Sequence, residues 1–240
     1  MQTNPADHAL ALILVLGMPL YGAFAYRQFA AAVLRGEPGV RLREYLTTAG
    51  IEWALAAAAV VHWLSSARPL ADLGFALPAD GRSVVGLLAA SVGLGFVAWQ
   101  WTQVRRADED TLRTLREQVR PVEPLMPRTD AEARGFRVLA VTAGVCEELL
   151  YRGFLIAYLS TAKDPWLAAA VGALVFGFAH FYQGVAGVAK TAVVGALAGA
   201  LFVGSGSLLW PALLHAAVDL QGGAIGRLVL GSSPAVTASR

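Results

Sequence analysis

Six ionisable side chains sit inside stretches of the chain that are otherwise apolar. Glu147, Glu148 and Arg152 share one of them, Ala143-Gly144-Val145-Cys146-Glu147-Glu148-Leu149-Leu150-Tyr151-Arg152; His180 closes a second, and His215 and Asp219 share a third. Such groups are costly in hydrocarbon, so within a membrane they mark catalysis or ion handling. Glu148 and Arg152 stand at i, i+4, on one helix face, where they can pair. Glu147 is turned about 100° from Glu148 and has no cation on its own helix. One acid with a built-in partner beside one without is the arrangement that separates a structural carboxylate from a general base. His215 and Asp219 repeat the i, i+4 spacing on another helix. Acids and imidazoles gathered in a dry cavity can activate water and stabilise developing negative charge.

The elements that hold these residues follow from composition. The chain has 240 residues, 56% hydrophobic and 15% charged, against about 25% charged in soluble domains. Its apolar residues come in long runs, which predicts an all-α fold: a polytopic transmembrane helical bundle of about seven spans, roughly 9–26, 47–65, 83–103, 136–160, 166–182, 188–204 and 207–226. Breaks fall at Gly36-Glu37-Pro38-Gly39, Asp164-Pro165 and Gly204-Ser205-Gly206-Ser207. With Arg137 at the membrane edge, a rise of about 1.5 Å per residue puts Glu147 about 15 Å deep, His180 about 9 Å and His215 and Asp219 about 12–18 Å, so that all can meet in the inner half of the membrane.

Basic residues set the expected orientation. Arg27, Arg35, Arg41 and Arg43 follow the first span; Arg105, Arg106, Arg113, Arg116, Arg120, Arg128, Arg134 and Arg137 follow the third, and the loops after spans two and four hold only Arg68, Arg82 and Lys163. The N-terminus is therefore expected outside, with the basic loops, the C-terminus and the open side of the site facing the cytoplasm of a bacterial inner (cell) membrane. Met1 to His8 lacks Lys and Arg, so the first apolar run reads as a retained span. The organisation is read as N-terminal spans over 1–103, a cytoplasmic amphipathic linker over 104–135, a four-span core over 136–226 and a tail over 227–240. Within the linker, Leu112, Leu115 and Val119 line one side of a short helix from Asp108 to Arg120, and Pro121, Pro124 and Pro127 end it; a plain surface linker is the alternative. No internal repeat and no phosphate-binding glycine loop is present.

Each feature also has a plainer reading. Glu147, Glu148 and Arg152 could form a structural ion network, and His215 with Asp219 a structural pair. His180, beside Phe181, Tyr182 and Gln183, could be an interfacial histidine. Cys146, the one cysteine, excludes an internal disulfide and reads as a small apolar filler. Phe154, Phe176 and Phe178 read as packing. Lys190 can snorkel to the surface. Glu52 and His62, about three turns apart on the second span, are ionisable but carry no assignment.

Taken in order, Glu147-Glu148-x-x-x-Arg152, Phe176-x-x-x-His180 and His215-x-x-x-Asp219 on successive apolar helices resemble the CAAX prenyl endopeptidase family, the CPBP or Abi family of intramembrane glutamic proteases, over roughly residues 136–222. The resemblance implies that Glu147 with His180 activates a water for attack on a peptide carbonyl, that His215 with Asp219 stabilises the oxyanion, and that Glu148 and Arg152 brace the site. The family often has Asn where this chain has Asp219. An ionised Asp only accepts hydrogen bonds, so Asp219 either carries a proton or orients His215. The implied partners are the lipid bilayer and a membrane-associated protein or peptide, lipidated or not; no nucleic acid, cofactor or metal is expected. Two other classes stay open. The two Glu, two His and Asp could hold zinc in a metal-dependent hydrolase, although no HExxH is present. A non-enzymatic scaffold, immunity protein or proton-coupled transporter could use the same acid–imidazole chain.

Overall fold

The computed structural model describes residues 2–231. Among the described residues, eight helices follow one another. They are α1 (Pro5–Leu34), α2 (Val40–Ser65), α3 (Gly81–Arg105), α4 (Glu109–Val119), α5 (130–160), α6 (Pro165–Ala179), α7 (Gly184–Ser205) and α8 (Leu209–Gly231). Two of them change pitch internally: α1 is π-helical over Ile13–Gly17, and α5 over Glu148–Leu155.

Helix starts follow local chemistry. Asn4 accepts from the amides of Ala6 and Asp7 while Asp7 reaches back to the Asn4 amide, and Pro5 occupies the first turn, where its missing N–H costs nothing. Thr129 and Glu132 make the same reciprocal cap for α5, and Asp164 caps α6 ahead of Pro165.

Among the described residues, three helices are long and apolar enough to cross a membrane: α1, α3 and the stretch Phe181–Ser205 that contains α7, with mean hydropathies of 1.9, 1.6 and 1.8. α6 is a shorter apolar helix. Leu20, Phe24, Val92, Val185 and Leu197 are each more than 60% exposed on these helices. A surface of that kind is unfavourable in water and suited to lipid. The chain is thus an integral, multi-pass helical protein. The expected spans 47–65, 136–160 and 207–226 fall on α2, α5 and α8, the helices that carry the ionisable residues and fall short of that apolarity. α6 stops at Ala179, so His180 caps a helix end instead of lying within a span over 166–182. α8 runs on to Gly231, which makes residues 227–231 of the expected tail helical; 232–240 lie outside the described residues.

α5 is the centre of the bundle, held between α2 and α8. Along α2 the residues Tyr45, Ala49, Glu52, Ala56, Ala59 and Trp63 are buried, at alternating spacings of four and three. The small members of that stripe let α5 come close, and Trp53 donates its indole N–H to Thr142 Oγ1 at 3.2 Å across the seam. On the other side, a Cβ built on Gly144 would lie 2.8 Å from the Ala216 amide and 3.0 Å from the Ala212 carbonyl. Only glycine permits that approach of α5 to α8.

The segment after α4 is a docked brace. Tyr26 donates to the Pro121 carbonyl at 2.8 Å, Arg41 to Pro124 at 2.8 Å and Tyr45 to Leu125 at 2.7 Å. On α4 itself Leu112, Leu115 and Val119 are half-buried, and Arg116 donates to the Val229 carbonyl at 2.8 Å near the end of α8. A second constraint ties α1 to the end of α2. Asp7 is fully buried; Arg68 grips its two carboxylate oxygens at 2.7 Å each, and His62 lies 2.9 Å from one of them. His62 thus belongs to a structural clamp, away from the carboxylates of α5.

Candidate active site

α5 places two adjacent acids differently because its pitch changes between them: Asp130–Glu147 is α-helical and Glu148–Leu155 is π-helical. π-turns inside α-helices recur at functional sites because they re-aim side chains at the point of insertion. Every residue of the π run is buried, whereas the Glu147 side chain keeps 19% of its surface exposed.

Glu148 lies at the hub of the charged groups. Its Oε1 accepts from Arg152 Nη1 at 2.8 Å and lies 2.8 Å from His215 Nδ1. The Glu148 and Arg152 side chains are 1% and 3% exposed, so this is a desolvated pair that depends on full hydrogen bonding. Arg152 gains two further partners, the Gly195 carbonyl at 3.3 Å and the face of Phe176 at 4.2 Å. A carboxylate oxygen only accepts, so His215 donates through Nδ1 and turns Nε2 toward Glu147 Oε2 at 3.8 Å and Asp219 Oδ2 at 3.5 Å. Second partners of this kind fix the tautomer and the ring orientation of a histidine.

His180 is organised from its own helix. Its Nδ1 lies 2.8 Å from the Phe176 carbonyl. Because a carbonyl can only accept, Nδ1 carries the proton and Nε2 is left available. The Phe176 ring joins the two halves of the site, with centroids 4.7 Å from His180 and 5.9 Å from His215. Phe176 therefore does more than fill space: it spaces both imidazoles and covers Arg152. No direct hydrogen bond joins His180 to Glu147 among the described residues.

Glu147, Glu148, Arg152, His215 and Asp219 thus converge directly, and His180 joins them through Phe176. Asp219, 37% exposed, reaches the site through His215 Nε2. Cys146 is fully buried. Among the described residues no group of three or more His, Cys, Asp and Glu side chains is placed to hold a metal ion. One residue that carried no assignment faces the same charges: Glu52, 6% exposed, interacts electrostatically with Glu147, His215 and Asp219. Its signal in the sequence is an acid within an apolar helix, but its neighbours depend on how α2 docks.

Among the described residues, eight helices of a multi-pass membrane protein surround a buried carboxylate–guanidinium–imidazole cluster. Residues 132–221 match the family model of the Rce1-like type II CAAX prenyl endopeptidases. All six of the expected site residues fall within the matched segment, whose family implies an intramembrane protease with a protein substrate. No curated protein and no solved structure matches the chain.

Proposed function

We propose that the protein is an intramembrane endopeptidase that hydrolyses a peptide bond of a membrane-associated protein or peptide. The observation that carries the reading is the single oxygen, Glu148 Oε1, shared between Arg152 and His215 beside the free edge of Glu147. In this reading Glu147 is the general base. It takes a proton from a water bridged to His180 Nε2 as the water oxygen bonds to the scissile carbonyl carbon. His215 Nε2 stabilises the oxyanion, with Asp219 orienting that ring. Collapse of the tetrahedral intermediate breaks the C–N bond, and the proton held on Glu147 passes to the leaving amine. Glu148 and Arg152 fix His215 and do not exchange protons with substrate. α2, α5, α6 and α8 complete the crossings around this centre, with the basic loops on the cytoplasmic side.

The test is cleavage of quenched fluorogenic peptides ending in a farnesylated Cys-aliphatic-aliphatic-X sequence, and of the same peptides without the lipid, by the full chain in proteoliposomes. Wild type is expected to cut, and Glu147→Gln to lose at least about 100-fold in kcat, with activity kept in a chelator. Cleavage by Glu147→Gln at the wild-type rate, or no cleavage of any peptide by wild type, overturns the reading. Loss on chelation transfers the chemistry to a metal.

A further inference from the structure

Glu52 lies outside the segment that matches the family model, on a helix whose other buried positions are all apolar or aromatic. It is nevertheless buried, and its Oε2 is enclosed without a hydrogen-bond partner among the described residues. Glu147 Oε2 is in the same condition. A buried acid lacking a partner is destabilising, and such groups are retained where they act. The seam holds it in place: Trp53, the next residue, is bonded to Thr142, and Ala49 and Ala56 bring α2 against α5 one turn to either side. The groups within electrostatic reach are Glu147, Cys146 and Tyr151 on α5 and His215 and Asp219 on α8. The cation-forming group in that set is His215, whose Nδ1 is already committed to Glu148.

We infer that Glu52 is a positioning residue for the Glu147–His215 pair, a further ionisable carboxyl supplied by α2 that sets the surroundings in which the base takes its proton and the imidazole meets the oxyanion. This rests on the endopeptidase reading and extends it: the reaction centre is assembled from both parts of the chain, and the matched segment alone is an incomplete site. Glu52 acts on Glu147 and His215 through its ionisable carboxyl and makes no contact with substrate.

The experiment compares wild type, Glu52→Gln, Glu52→Asp and Glu147→Gln in the same proteoliposome assay across pH. Glu52→Gln keeps the shape of the side chain and removes its ability to ionise. It is expected to lower kcat about tenfold with KM held, and to displace the pH profile; Glu52→Asp is expected to recover part of both. A purely structural Glu52 would leave the pH profile of the folded Gln variant where it was. A second measurement needs no substrate: NMR titration of ¹⁵N-labelled histidine in detergent, in which His215 is expected to titrate differently in Glu52→Gln. Wild-type kcat, pH profile and His215 titration in Glu52→Gln, alongside an inactive Glu147→Gln, overturn the role of Glu52 and leave the protease standing. An active Glu147→Gln overturns the endopeptidase reading itself.

Discussion

At the scale of single residues, Arg152 holds three parts of the site together. It neutralises Glu148, ties the π run to the Gly195 carbonyl on α7 and caps the face of Phe176. Arg152→Met is expected to leave Glu148 in a desolvated place with the His215 imidazole as its remaining partner. The cost is on the order of 3 kcal/mol, read as a lower unfolding temperature in detergent together with loss of cleavage. Arg152→Lys should recover only part of this, because an ammonium cannot hold the carboxylate and the carbonyl in one plane. The six ionisable residues were legible in the sequence because acids and imidazoles stand out in apolar runs. The role of Phe176 was not, because a phenylalanine among apolar residues carries no mark of the rings it will touch. Glu52 was visible as an oddity, but its neighbours are set by docking across roughly a hundred residues of chain, which no local pattern encodes.

At the scale of elements, geometry is set by close crossings. Gly144 brings α8 against α5, and so brings His215 to Glu148. Gly144→Ala would place a methyl against the backbone of Ala212 and Ala216, which cannot yield as a side chain would. The expected cost is about 1–3 kcal/mol, with kcat falling further than KM rises because the imidazole is drawn off its partner. A kinetic comparison with Gly50→Ala, whose Cβ meets nothing within 4 Å, separates crowding from a general effect of replacing glycine. Helix identities were readable here, since caps such as Thr129 with Glu132 and breaks such as Asp164-Pro165 are local signals. The end of α6 at Ala179 and the π run were not, for both are settled by tertiary packing. The proline-rich stretch shows the same limit. Its prolines announce a helix stop but not that Tyr26, Arg41 and Tyr45 will hold its carbonyls.

At the scale of the whole molecule, two fixed ends hold the bundle around α5. The brace after α4 fastens α1 and α2 to one side, and the Asp7–Arg68–His62 clamp fastens the start of α1 to the end of α2. Arg68→Ala is expected to leave Asp7 buried with only His62 and the Asn4 amide for company. A loss of about 3 kcal/mol should appear as a lower thermal midpoint, while the folded fraction retains its turnover per molecule. The clamp was invisible in the sequence because Asp7 and Arg68 are separated by 61 positions. Membrane crossings can be tested independently of chemistry. Alkaline phosphatase fusions after Lys163 are expected to be active, and fusions within 108–120 inactive, if the basic loops face the cytoplasm. The opposite pattern would invert the bundle and place the open side of the site outside.

The pitch change in α5 has a consequence for heredity. A π-turn is an α-helix carrying one residue more than it needs. Deleting a single residue between Leu149 and Tyr151 would let the run relax to ordinary α-helix without moving Glu147 or the packing of Ile156 and beyond. The same deletion would bring Glu148 and Arg152 one position closer along the chain and change the direction in which the arginine leaves the helix. This stretch should therefore tolerate loss of a residue as a fold and not as a site. Shortened alleles would accumulate in the membrane as intact, inert protein.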